Sequence, residues 1–141
     1  MSVQAVTHLN FQGQAREALA FYHSVFGGQL TQFTYQDLGQ VADPVDADRI
    51  VFGQVATQDG FRIMAFDVAT GKPWQQGQNA FYVSLSGADQ AEITALWDKL
   101  AVGATIEHAL APAPWAPLYG MLKDRFGVVW AINVIAAGQA G

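Results

Sequence analysis

The chain contains no cysteine. That single absence removes disulfides, thiolate metal sites and cysteine nucleophiles together, and the expectation that follows is a cytoplasmic protein. Basic residues are also scarce. Seven Lys and Arg stand against twelve Asp and Glu, for a formal net charge of −5, so no basic stripe exists to hold a nucleic acid. Long apolar runs are missing too. The longest, Val128 to Ala137, is interrupted by Asn133 and is too short to span a bilayer, so no membrane partner is expected. Met1 leads into a strand-like Val3 to Phe11 without a basic-then-apolar leader, and no signal peptide is expected. There is no Gly-rich phosphate loop and no dinucleotide fingerprint after a strand. Ser24, Ser84 and Ser86 lack the G-x-S-x-G elbow that acyl transfer needs.

What the chain does have is apolar residues, 51% of the total against 13% charged, enough to build a core and to argue against disorder. It also has a repeat. Leu9-Asn10-Phe11-Gln12-Gly13, a helical stretch Ala15 to Phe26 and Gly27-Gly28 are echoed by Val83-Ser84-Leu85-Ser86-Gly87, a helical stretch Asp89 to Leu100 and Gly103, about 74 positions later. The first helix places Ala18, Phe21, Tyr22 and Val25 on one face, and Gly27-Gly28 stops it. The second opens on the D-x-x-E capping box Asp89 to Glu92. Strands are expected over 4–11, 29–35, 49–57, 61–67, 80–86, 104–109, 118–123 and 128–135. Asp59-Gly60 turns one hairpin, and Asp124 to Gly127 turns another. Residues 37–48, with four Asp, read as a solvated loop. Pro112, Pro114 and Pro117 read as a loop carrying Trp115. The fold class is therefore α+β: one domain of two βαβββ modules, about 3–68 and 79–136, joined by a linker over 69–78. With four Trp, nine Phe and so little charge, apolar surface remains for a second copy, and a homodimer is expected.

These residues resemble the vicinal oxygen chelate superfamily, which includes glyoxalase I, extradiol dioxygenases and the bleomycin-resistance proteins, and within it the PhnB-like branch. The likeness rests on Leu9-Asn10-Phe11-x-Gly13, Glu17-Ala18-x-x-Phe21-Tyr22, Phe26-Gly27-Gly28, Met64 and Asp67. It continues through Trp115, Tyr119-Gly120 and the run Asp124-Arg125-Phe126-Gly127-Val128-x-Trp130-x-Ile132-Asn133. The resemblance implies curved mixed sheets around a cavity, completed as a homodimer. It also implies four inward-facing strand positions that, in the superfamily's enzymes, supply His and carboxylate ligands to a divalent metal.

Carried over, those positions are Val6 or His8, then Met64, Tyr82 and Ala131, and the repeat sets Tyr82 opposite His8. A thioether, a phenol and a methyl group are poor partners for a hard cation, which leaves His8 and the neighbouring Asp67 as weak metal candidates. His8 is expected to bond to Tyr82 or Asn10 on the cavity wall, with a role as general base or ligand contact as the alternative. Asp67 is expected to close the turn after its strand. Trp115 and Tyr119 either plug the cavity or stack on a flat ligand. Asp124 and Arg125 brace a hairpin. The expected function is small-molecule binding in an apolar cavity without a catalytic metal cofactor, lined by His8, Asn10, Met64, Phe66, Tyr82, Ser84, Ala131 and Asn133. The alternatives are a metal-dependent lyase, isomerase or dioxygenase with a drifted ligand set, and a purely structural dimeric module. Some relatives carry a ubiquinone-pathway methyltransferase label, against which stands the missing nucleotide-binding turn.

Overall fold

The computed structural model describes residues 2–136, and the chain divides into two compact units with the boundary after Gln76. The first unit runs β1 (Thr7–Phe11), α1 (Ala15–Phe26), β2 (Gln29–Thr34), a 3-10 turn (Pro44–Asp46), β3 (Ile50–Ala56) and β4 (Arg62–Asp67). The second runs β5 (Val83–Gly87), α2 (Gln90–Leu100), β6 (Thr105–Ala113), β7 (Ala116–Lys123) and β8 (Val129–Val134). Each unit is one four-stranded mixed sheet with a helix across one face. The orders β1-β4-β3-β2 and β5-β8-β7-β6 are the same topology twice. In both, the first strand pairs in parallel with the last, the helix carries the chain across to the second strand at the far edge, and the remaining pairs are antiparallel. The α+β expectation of eight strands and two helices in two modules holds.

Alternation along each strand decides what is buried. In the first unit Phe11, Val55, Ile63 and Ala65 face α1, which lays Ala15, Ala18, Leu19, Tyr22 and Val25 onto them. In the second, Leu122, Trp130, Ile132 and Val134 meet Ile93, Trp97 and Leu100 of α2. Each helix approaches its sheet over a glycine at the same place in the repeat. A Cβ on Gly53 of β3 would lie 2.2 Å from Leu19 Cδ1 and 2.7 Å from the Ala65 carbonyl oxygen. A Cβ on Gly120 of β7 would lie 2.8 Å from the Trp97 ring. Neither distance admits a carbon, so both helices pack on bare backbone.

Several expectations change. The solvated loop over 37–48 holds a buried residue: Asp46, 2% exposed, accepts from the Thr70 hydroxyl at 2.6 Å, the Thr70 backbone N–H at 3.0 Å and Arg49 at 3.2 Å. Four acidic residues read as solvated only while their partners, distant in sequence, are unknown. The proline-rich stretch is not a loop but a hairpin. β6 extends to Ala113, β7 starts at Ala116, and only Pro114 and Trp115 turn the chain. Pro112 is accommodated because β6 is an edge strand. Pro117 precedes the first β7–β8 pair, Leu118 with Val134, so its missing N–H breaks no bond there. The expected linker is partly tied down. The Gln12 side-chain amide donates to the carbonyls of Ala69 at 3.1 Å and Lys72 at 3.2 Å, and the Trp74 indole N–H donates to the Asn10 carbonyl at 2.9 Å.

Candidate functional site

The face of each sheet away from its helix is where the chemistry collects. In the first unit, His8 stands opposite Met64 in the β1–β4 ladder and Asn10 opposite Phe66, with Gln54 across from Met64 on β3. His8 donates from Nδ1–H to Asn10 Oδ1 at 2.9 Å, and its ring meets Phe66 edge-on at 5.0 Å. Of the two expected partners, Asn10 is the one it takes. The Phe11 carbonyl receives the Val68 N–H from the β4 side. Alternate residues of a parallel strand point their backbone groups to opposite sides, so His8 and Asn10 turn theirs to the free edge of β1. Trp74 meets the Asn10 carbonyl at that edge.

In the second unit a row crosses all four strands: Ser84 opposite Ala131, Ala131 opposite Met121, Met121 opposite His108. The next row sets Ser86 opposite Asn133 and Asn133 opposite Tyr119, and the Ser86 hydroxyl donates to Asn133 Oδ1 at 2.6 Å. Tyr119 meets two rings edge-on, His108 and Trp115, each at 5.3 Å. Tyr82 does not join these rows. It precedes β5, and its hydroxyl donates to Asn79 Oδ1 at 2.9 Å. Ser84, opposite Ala131, holds the place that His8 holds opposite Met64, so the 74-residue offset put the wrong residue against His8. The two modules have different lengths between equivalent strands, and one offset cannot serve both ends.

The carboxylates lie on the other side. Asp67 pairs with Phe11 on the helix-covered face, opposite to His8, and is 1% exposed. Its Oδ1 accepts the backbone N–H of Gly13 at 2.7 Å and of Ala15 at 3.1 Å, and its Oδ2 accepts that of Ile50 at 3.0 Å. It thus caps the start of α1, where Gln14 makes no side-chain cap. The two weak metal candidates, His8 and Asp67, thus lie on opposite faces of the sheet. Asp124, 3% exposed, accepts the N–H groups of Phe126 and Val128 on Oδ1 and the Trp130 indole N–H on Oδ2 at 2.8 Å. That bears out its bracing role. Its neighbour Arg125 donates to the Val102 carbonyl at 3.1 Å. Asp46 titrates below its ordinary 3.8, chiefly because the Thr70 hydroxyl bonds to the charged form. The Tyr35 phenol is raised above 10.0, first by burial and then by the charges of Asp46 and Asp67. Among the described residues no three His, Asp or Glu side chains gather where a metal could be held.

Sequence reasoning thus found His8, Asn10, Met64 and Phe66 on one face, and Ser84, Ala131 and Asn133 on the other module's equivalent face, where Tyr119, expected to plug the cavity or stack on a flat ligand, also stands. It missed His108, Met121, Ser86 and Gln54. The alternation of β7 through Tyr119 and Met121 would have supplied one of them, and carrying β6 past Ala109 would have brought His108 opposite it.

The family profile described as 3-demethylubiquinone-9 3-methyltransferase matches residues 3–133. The chain belongs to this PhnB-like family. Protein PA1353 from Pseudomonas aeruginosa is 34% identical, with a TM-score of 0.81 over 96% of this chain and 99% of that one. A putative 3-demethylubiquinone-9 3-methyltransferase, PhnB protein, from Bacillus cereus is 23% identical, with a TM-score of 0.74 over 94% and 99%. Protein YjdN from Escherichia coli K12 is 26% identical over 91% of this chain and 92% of its own. More distant structures of the glyoxalase and bleomycin-resistance type share the PhnB-like fold.

Proposed function

We propose that this PhnB-like chain binds a small organic molecule against the open sheet faces of its modules, as a homodimer and without a catalytic metal. One observation supports this most. The open faces present imidazole, amide, hydroxyl, thioether and aromatic groups, with Arg62 and Lys123 at strand ends, whereas Asp46, Asp67 and Asp124 are engaged with backbone, hydroxyl, guanidinium or indole donors elsewhere. A divalent metal held as in the superfamily's enzymes does not fit that donor set. Met64 offers a soft sulfur and Ala131 a methyl group, and His8 is one imidazole against the three or four donors a stable site needs. The methyltransferase in the family's description is no part of the proposal. The amides at the start of α1, where a βα turn would receive an anionic group of a cofactor, already hold Asp67.

Exposed large apolar side chains support association: Phe81 is 92% exposed and Val45 is 62% exposed. Light scattering at micromolar concentration tests this part. A species of about 30 kDa supports the dimer, and a sole 15.2 kDa species removes it. The binding reading is tested by metal analysis of protein purified without chelator or nickel resin, beside thermal-shift screening of small organic molecules. Less than about a tenth of an equivalent of Zn, Ni, Fe or Mn is expected, with a ligand whose affinity falls in His8→Ala. A metal-dependent rise in Tm that disappears in His8→Ala would return the chain to the metal-dependent enzymes of its superfamily.

A further inference from the structure

The structure assigns a specific anchor to the aromatic group at the β6–β7 hairpin. We propose that His108, Tyr119 and Trp115 together hold a planar aromatic molecule bearing an O–H or N–H, which donates to Nε2 of His108. The assignment rests on the binding function proposed above and names the chemistry of its ligand.

His108 Nδ1 lies 2.9 Å from the Ala109 carbonyl oxygen. A carbonyl only accepts, so Nδ1 carries a proton, and the tautomer protonated there alone has its lone pair on Nε2. That nitrogen has no partner among the described residues. The Tyr119 hydroxyl and the Trp115 indole N–H are likewise unbonded among them. The three rings form a chain, His108 to Tyr119 at 67° and Tyr119 to Trp115 at 68°. Edge-to-face contacts of this kind leave ring faces uncovered for a further aromatic group.

The backbone holds the cluster in place. Ala113 pairs with Ala116 across the two-residue turn, and neither central residue has positive φ, which excludes the primed and type II turns. Pro114 supplies the fixed φ of the first central position, and Trp115 projects from the second with 62% of its surface open. A tryptophan this exposed, on a stiff turn and in ring contact with a tyrosine, has no packing role in its own module. Its unpaired N–H and the free His108 lone pair favour a ligand with polar groups at the ring periphery over a purely apolar one.

The experiment uses full-length protein and two probes of similar shape, 2-naphthol and 2-methoxynaphthalene, followed by NMR of the Trp indole N–H, His ring and Tyr ring signals. 2-Naphthol is expected to shift Trp115, Tyr119 and His108 saturably and to bind about tenfold more tightly than 2-methoxynaphthalene, which cannot donate. His108→Phe keeps a ring and is expected to erase that tenfold difference. Trp115→Ala is expected to weaken both probes by a similar factor. Equal affinity of the two probes in the parent protein overturns the assignment, as does persistence of the difference in His108→Phe. Saturable shifts confined to the His8 ring and the Trp74 indole N–H overturn it while leaving the broader binding function standing. Absence of any saturable shift overturns the assignment, while the broader binding function stands or falls on the thermal-shift screen.

Discussion

Asp67→Asn is expected to lower the unfolding free energy by about 2–4 kcal/mol. The substitution keeps the shape of the side chain and removes one acceptor and the charge. In the native protein the two oxygens take three backbone N–H groups, at 2.7, 3.1 and 3.0 Å, in a position 1% exposed. The amide oxygen of Asn can keep Gly13 and Ala15, and the NH2 group then faces the N–H of Ile50, donor against donor. Stranding a buried donor costs about 1–3 kcal/mol, and turning two charge-assisted bonds into neutral ones removes roughly 1 kcal/mol each. Against this, the variant no longer keeps a charge out of water, which offsets part of the loss and holds the net below the simple sum. For a chain of 141 residues that is a fall in Tm of roughly 10 °C.

Urea unfolding followed by tryptophan fluorescence and circular dichroism measures the effect, which should appear in the midpoint with m unchanged. A second readout separates this account from a general loss of packing. The Asp67 charge is one of the causes that raise the Tyr35 phenol, and the Tyr35 hydroxyl donates to the Asp67 carbonyl, which the variant keeps. Tyr35 should therefore ionise at lower pH in Asp67→Asn. A variant within 0.5 kcal/mol of the parent, with an unmoved tyrosine titration, would refute the reasoning.

Gly53→Ala and Gly120→Ala should each cost about 1–2 kcal/mol in urea unfolding. Overpacking of about 1–3 kcal/mol outweighs the smaller gain from a stiffer unfolded chain. Trp130→Phe, which takes the indole N–H from Asp124 Oδ2 in the core, should lose about 2–4 kcal/mol by the same measurement. Asp46 titrates below 3.8 in the folded protein, so its contribution is complete above that value and is lost as pH falls through the depressed one. Thr70→Val removes the largest cause. It should move the Asp46 carboxyl titration, read by NMR, back toward the ordinary value and weaken the acid dependence of unfolding.

Elements whose signal is local were legible in the sequence. α1 showed in the spacing of Ala18, Tyr22 and Val25 and in its glycine stop, and α2 in Asp89, whose side chain accepts the Glu92 N–H at 3.1 Å. Strand alternation was enough to put His8, Asn10, Met64 and Phe66 on one face. What stayed hidden depends on partners distant in sequence. Asp67 owes its role to amides more than fifty residues earlier, at Gly13 and Ala15, and Asp46 to Thr70. The β6–β7 hairpin was masked by prolines, which argue for a loop until the topology shows β6 at an edge.

The two faces of each sheet divide the polar chemistry of the chain. On the covered side, two buried carboxylates are satisfied and tie elements together: Asp67 ties α1 to β3 and β4, and Asp124 ties the β7–β8 turn to Trp130. Such groups cannot be recruited to a ligand without breaking the bonds that hold helix to sheet. On the open side stand Arg62 and Lys123 at strand ends, and along the strands imidazole, amide and hydroxyl groups whose hydrogen bonds are local. His8 bonds two residues along its own strand, Ser86 to the residue opposite, His108 to the next carbonyl. Breaking one of these releases no element of the fold, so an open-face residue can be changed at little cost in stability. His8→Ala should therefore leave the urea midpoint within about 0.5 kcal/mol of the parent, as expected for a surface position. A loss comparable to that of Asp67→Asn would mean that the open face is also part of the scaffold, and the division of labour between the faces would fail.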